Sequence, residues 1–338
     1  MYLPSLIYFL KGTKSNFNLM TYRIHWFKKN LRFQDNEILL KTDNSSSILL
    51  YIIEPELWLQ KDMSQRQWEF IWESLKSLKI DLAKRNLHLN ILTGDALEIF
   101  QTLHQKYSFT EVISEQETGI NWTFIRDKKL KALFNNLNVN WVEYPYFGVK
   151  RGNHNRDHWA RSIQQILKKP LINIEKYIDK SEILDFDEHE IPINFYDKTP
   201  CPFRQKGGSH QAHDLLETFL ESRGENYQKE MSSPVTAEYS CSRLSPHFAH
   251  GTLSLRQAFQ LAEKKRFEIQ STNKVFARSI NAFLSRLHWR SHFIQKLEDE
   301  PSIELQSFIP LYDDIRDKDE KKLHSWIKGE TGIPFIDA

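Results

Sequence analysis

The chain has 338 residues, with 46 Lys and Arg against 44 Asp and Glu, for a net charge of +2. That balance excludes a generic polyanion binder, so any nucleic-acid surface must be a local patch. The length fits two domains. The two cysteines, Cys201 and Cys241, exclude a disulfide framework and a cysteine metal quartet, and fit a reducing, intracellular setting. Aromatic residues make up 13% of the chain, which suits either a large aromatic core or a planar ligand.

Residues 1–19 carry an apolar stretch, Leu3 to Leu10, that is too short to span a membrane. No basic residue precedes it and no clean small-residue cleavage site follows, so no secretion signal is read there. They are expected to be a disordered extension or an upstream start before Met20.

Residues 20–145 alternate short apolar strands with helical patterns. Strands are expected at Tyr22–Phe27, Ile48–Glu54, Leu87–Leu92, Glu111–Ser114 and Val139–Tyr144. The clearest helix is 64–86, where Trp68, Ile71, Trp72, Leu75, Leu78 and Leu82 recur at helical spacing behind Ser64 as N-cap. Such alternation predicts an α/β domain built on a doubly wound, five-stranded parallel sheet. No glycine-rich dinucleotide or phosphate loop follows the first strand.

Residues 146–209 carry Pro170, Pro192, Pro200 and Pro202 and an acidic run of Asp185, Asp187, Glu188 and Glu190, with no sustained period. They read as an interdomain connector, and the acidic run as a solvated loop. From 210 to 338 the pattern is helical, at 211–223, 254–266, 272–297 and 318–327. The last residues, Trp326 to Ala338, read as a loop leading into an apolar helix start.

Two segments could carry chemistry. Cys241-Ser242-Arg243-Leu244-Ser245-Pro246 is turn-rich, with hydroxyls and backbone N–H groups suited to phosphate oxygens, or it is an ordinary capped loop. In helix 272–297, Phe276, Ile280, Phe283, Leu284, Leu287 and Ile294 form a core stripe. Beside it stand Arg286, Trp289, Arg290 and Phe293, either a phosphate-and-base surface or a basic edge with an aromatic shoulder. His247, His250, His288 and His292 have no ligand spacing, so no metal site is expected. No nucleophile elbow occurs.

These segments together resemble the photolyase/cryptochrome family over most of residues 21–338. Tyr22 to Asn36 resembles the family opening W-F-R-x-D-L-R-x-x-D-N, with Lys28-Lys29-Asn30 as a mild departure. Gly148-Val149-Lys150-Arg151 and Asn155-Arg156-Asp157-His158-Trp159 resemble a connector of one photolyase-like subgroup. Gly207-Gly208 with Ala212, Phe219 and Tyr227 resembles the start of the flavin domain. Ser242-Arg243-Leu244-Ser245-Pro246 resembles the S-x-L-S-P phosphate segment, and Leu287-His288-Trp289-Arg290 the L-x-W-R helix. Trp326 to Ala338 resembles W-x-x-G-x-T-G-x-P-x-x-D-A, after which roughly a third of the family's chain usually follows.

The resemblance implies an antenna pigment of unknown type in the α/β domain and FAD in a helical domain that is incomplete at its C-terminal end. It implies FAD contacts at Tyr227, Cys241, Ser242, Arg243, Leu244, Ser245 and Arg290. It places damaged DNA, a flipped pyrimidine dimer, against Trp289, Arg286, Arg290 and His292, with Trp289 and Arg286 nearest the chemistry. Arg286 stands where many repair enzymes have an acidic or amide residue. The implied activity is flavin-dependent photolyase chemistry by a cytoplasmic monomer without a membrane span. The alternatives are a cryptochrome-like blue-light receptor and an inactive, truncated relic that binds no flavin.

Overall fold

The computed structural model describes residues 21–152, 159–186 and 193–337. The expected extension 1–19, Asn155 to His158 of the connector motif, and Asp187, Glu188, Glu190 and Pro192 lie outside the described residues.

Five strands form one parallel sheet: β1 (Tyr22–Phe27), β2 (Ser46–Ile53), β3 (Leu89–Thr93), β4 (Glu111–Glu115) and β5 (Asn140–Tyr144), in the order β3-β2-β1-β4-β5. Ile24 pairs with Ile48 on one side and Val112 on the other. The apolar runs of β1 and β2 are buried on both faces, as a sheet covered by helices requires. The covering helices include α1 (Gln65–Ala83), α2 (Ala96–Tyr107) and α3 (Asn121–Asn136). The start of α1 follows from its capping box: Gln67 Oε1 accepts from the Ser64 backbone N–H at 2.7 Å.

The stretch 146–186 departs from the expectation of no regular period. Trp159–Lys168 is a helix, α4, and it buries Ile163 and Leu167 against the helical unit. Trp159, Ile163, Ile166 and Leu167 stand at helical spacing, so the signal was present in the sequence but lay among prolines and polar residues that read as a connector. The helical unit follows with α5 (Ser209–Thr218, continued by a wider turn through Arg223), α6 (Leu255–Ile269), α7 (Lys274–Asp299) and α8 (Glu320–Lys328). Phe276, Ile280, Phe283, Leu284 and Leu287 of α7 are buried with Phe219, Phe248 and Phe259, while Ile294 is only half-buried.

The two units are joined through the N-terminal loop after β1. Asp35 is buried, and its carboxylate accepts from Arg256 Nη2 at 2.5 Å, Arg256 Nε at 3.1 Å and the Ile172 N–H at 3.1 Å; Ser254 Oγ donates to it as well. Arg32 donates to the Gly251 carbonyl at 3.3 Å, and Leu31 N–H to the His250 carbonyl at 3.1 Å. Gly251 has φ +65°, and a Cβ there would lie 2.1 Å from the Lys29 carbonyl oxygen, so only glycine lets the loops approach.

Glu115 ends β4 in the same region. It is buried, its Oε2 lacks a partner, and Arg32 Nη2 is 3.9 Å from its Oε1. Burial pushes its pKa from 4.5 up to about 7, against the pull of Arg32. The folded value lies above the unfolded one, so the protonated carboxyl's contribution is full below pH 4.5 and is lost as pH rises through 7. Glu115→Gln is expected to raise stability at pH 8 by about 1–3 kcal/mol and to change it little at pH 4. Urea midpoints at the two pH values check this, and an equal shift at both counts against it.

From Pro301 to Asp337 no residue is buried. Leu305, Leu311, Trp326, Ile327 and Phe335 stand 62–94% exposed, so this arm adds nothing to the apolar cores.

Candidate functional site

The turn between Ala237–Ser240 and Ser245–Ala249, two short helices, is folded around Arg223. Its guanidinium donates to the carbonyls of Leu215 at 2.9 Å, Tyr239 at 3.3 Å and Ser242 at 3.4 Å, and to that of Cys241. Arg243 takes the left-handed conformation, φ +62°, and its carbonyl accepts from Gln205 Nε2 at 2.9 Å. Burial and the neighbouring Arg243 push the Arg223 pKa down. The turn therefore gathers two guanidinium groups beside the hydroxyls of Ser242, which is half-buried, and Ser245, which is exposed.

Tyr227 closes the other side. It is buried against Phe219 and Phe283, at ring separations of 5.5 and 6.5 Å. Burial raises its pKa, Cys241 adds to this, and Arg286 opposes it by charge and a hydrogen bond. Burial likewise raises the Cys241 thiol against Arg243 and Arg223. Arg286 lies 5.4 Å from the Trp289 ring, and Trp289 is 50% exposed. The fold thus brings Tyr227, Cys241, Arg243, Arg286 and Trp289 to one region.

Three more of the expected residues have the following surroundings. Leu244 is fully buried in the helical core, so its side chain anchors the turn. Arg290 turns inward: it donates to the Phe248 carbonyl at 2.7 Å and to the Tyr146 hydroxyl, which occupies it structurally. His292 is half-buried, with its ring 5.8 Å from Trp159, 5.5 Å from Phe293 and 6.5 Å from Trp289, so it stays beside Trp289 as expected. Arg223 was not singled out from the sequence. Its spacing four residues before Tyr227 was the available signal.

A second site lies at the carboxyl ends of the strands, where the order reverses between β1 and β4. Open α/β sheets bind ligands at this place. A cavity of about 340 Å³ is lined there by Lys28, Lys29, Glu54, Trp58, Arg126 and His250, among others. Arg126 pairs with Glu54 at 2.6 Å, Glu117 at 2.8 Å and Asp127 at 2.8 Å, and lies 5.0 Å from the Trp26 ring. Lys28 reaches Asp127 at 3.2 Å, and Lys29 reaches Glu117 at 3.3 Å. Burial pushes Glu54 up to about 7 despite Arg126. At Glu117 burial is outweighed by Lys29, Arg126 and Lys28, which hold the carboxyl well below its usual range. Burial, then Lys29 and His247, push His250 down to about 3, so it is neutral.

An open parallel sheet with a cavity at its switch point, followed by a helical unit carrying a basic turn, defines a two-unit α/β–α protein. The family model for DNA photolyase matches residues 23–145, and that for the FAD binding domain of DNA photolyase matches residues 283–338. Chicken cryptochrome-2 is 24% identical over 342 residues, covering 93% of this chain and 58% of its own length. The deoxyribodipyrimidine photo-lyase of Escherichia coli K12 is 24% identical over 344 residues, covering 94% of this chain and 70% of its own. The Synechocystis cryptochrome structure superimposes with a TM-score of 0.78 at 18% identity, covering 94% of this chain and 70% of that one. The chain belongs to the photolyase/cryptochrome family, and it spans 58% of the length of the chicken relative. Among the described residues no helix is long and apolar enough to cross a membrane.

Proposed function

We propose that this protein is a photolyase-type flavoprotein that uses light to split pyrimidine dimers in DNA. The observation that carries this reading is the convergence of Arg243, Cys241, Tyr227 and Arg286 beside the exposed Trp289. The donor set fits FAD. Arg243, with the hydroxyls of Ser242 and Ser245, offers cation and hydrogen-bond partners for a diphosphate, and Tyr227 bounds the site. Bound and reduced, FAD supplies the light-driven electron. The chain's own part is to hold the diphosphate at the turn, keep the Cys241 thiol neutral, and present Trp289 as a stacking face for a flipped base, with Arg286 steadying both Tyr227 and Trp289. The α/β domain, residues 20–145, holds an antenna pigment in the cavity between Lys28, Glu54 and Arg126. The connector is 146–209 and the flavin domain 210–338. The protein acts as a monomer.

A blue-light receptor is the second reading. Arg286 favours it, because a cation rather than an acceptor stands beside Trp289.

The test is to incubate the protein with FAD, remove free cofactor, and record the absorption spectrum. The reduced sample is then illuminated with a thymine-dimer oligonucleotide. Retained flavin with loss of dimer supports the photolyase. Retained flavin without dimer loss moves the reading to the receptor, and a colourless protein overturns both. Arg243→Gln is expected to weaken FAD retention about 10- to 100-fold, the loss of one charged hydrogen-bonding partner.

A further inference from the structure

On α7, Lys274, Arg278, Asn281 and Ser285 recur at spacings of four, three and four, which places them along one side of the helix. With Arg266 and Gln270 at the end of α6 and Gln228 beside Tyr227, they line a groove of about 520 Å³. No acidic residue lines this groove. Among the described residues, no ion pair occupies Arg266, Lys274 or Arg278, whereas the neighbouring Lys264 is paired with Glu268. In a chain with 46 basic and 44 acidic residues, three cations without a facing carboxylate are a local segregation of charge.

The lining is suited to a polyanion that is held without sequence reading: guanidinium and ammonium groups, amides and a hydroxyl, with Ala277 and Ala282 keeping the floor low. One further step of four from Ser285 reaches Trp289. Fifteen residues separate Lys274 from Trp289, roughly 22 Å of helix, the axial length of about six successive phosphates of one duplex strand.

We propose that this groove is a phosphodiester track that carries one nucleic-acid strand along α7 to Trp289. The proposal rests on the DNA reading above and adds to it a backbone site on the groove that begins at Gln228, next to Tyr227. Lys274, Arg278 and Arg266 set affinity and register, and Trp289 sets preference for the flipped base.

The test measures binding of fluorescein-labelled duplexes, with and without a thymine dimer, by anisotropy at several salt concentrations. The triple variant Arg266→Gln/Lys274→Gln/Arg278→Gln is expected to bind both duplexes about tenfold or more weaker at 100 mM salt, and to lower the slope of log affinity against log salt by about 2–3. Trp289→Ala is expected to reduce preference for the dimer while keeping the slope. Arg266→Lys/Arg278→Lys keeps the charges and should keep the slope, which separates charge from misfolding; an unchanged thermal midpoint adds a second check. A wild-type protein that binds duplex with a slope unaffected by the triple variant overturns the track alone. A wild-type protein that binds no duplex overturns the DNA reading and the track together.

Discussion

Asp35→Ala is expected to lower the stability of the whole protein by about 3–5 kcal/mol, the range for breaking a buried ion pair by removing one partner. The reason is what remains. Arg256 is buried and would keep only Glu37, at 3.9 Å, while the Ser254 hydroxyl and the Ile172 N–H would lose their acceptor. Asp35 also has φ +52°, a conformation that an aspartate tolerates better than an alanine. Asp35→Ala combined with Arg256→Met should recover much of the loss, because it removes the stranded cation. Thermal or urea unfolding of the two variants checks this. If the double variant is no more stable than the single one, the loss lies in the loop backbone and not in the pair.

Arg126→Leu should have a comparable effect of about 3–5 kcal/mol at pH 8, centred in the α/β unit. It would strand Glu54 and remove one of the cations at Glu117, both buried at the strand ends. The effect should shrink at pH 5. Glu54 already titrates near 7 with Arg126 present, and losing that cation raises its pKa further, so at pH 5 it is protonated and no longer a buried charge. Glu117 keeps Lys28 and Lys29 within 3.9 and 3.3 Å. Adding Glu54→Gln to Arg126→Leu should therefore recover stability at pH 8 and make little difference at pH 5. Denaturant midpoints at the two pH values decide it, and a loss independent of pH would mean that packing over Trp26 dominates.

Much of this fold is legible in the sequence because the core elements obey simple periods. Tyr22–Phe27 was readable to the residue, since Ile24, Trp26 and Phe27 mark a short run that ends at the polar Lys28-Lys29-Asn30. The helix 64–86 was found through its stripe and Ser64, with Ala83 as its observed end. α4 was missed although Trp159, Ile163, Ile166 and Leu167 form a helical stripe, because the stretch is short and was read together with the irregular segment after it. The site was legible in part, since residue type does not reveal side-chain direction. Arg286 and Arg290 are one turn apart, yet Arg286 lies beside Trp289 while Arg290 is spent on Tyr146 and Phe248. The opening motif marked the family, but its physical task, Asp35 holding Arg256, spans 221 residues and no local pattern could show it.

That span also has a consequence for synthesis. At about 5–20 residues per second, roughly 10–40 s separate the emergence of Asp35 from that of Arg256. Until then the carboxylate is solvated and the loop after β1 has no counterpart to close on. The parallel sheet can assemble during this interval, because all five strands end by Tyr144. The nascent α/β unit is thus left with an open seam on one side for tens of seconds, and docking of α6 seals it as the last long-range closure of the chain made so far. Ribosome-stalled chains ending before and after Arg256 should then differ in protease sensitivity at the loop containing Asp35, with protection gained in the longer chain.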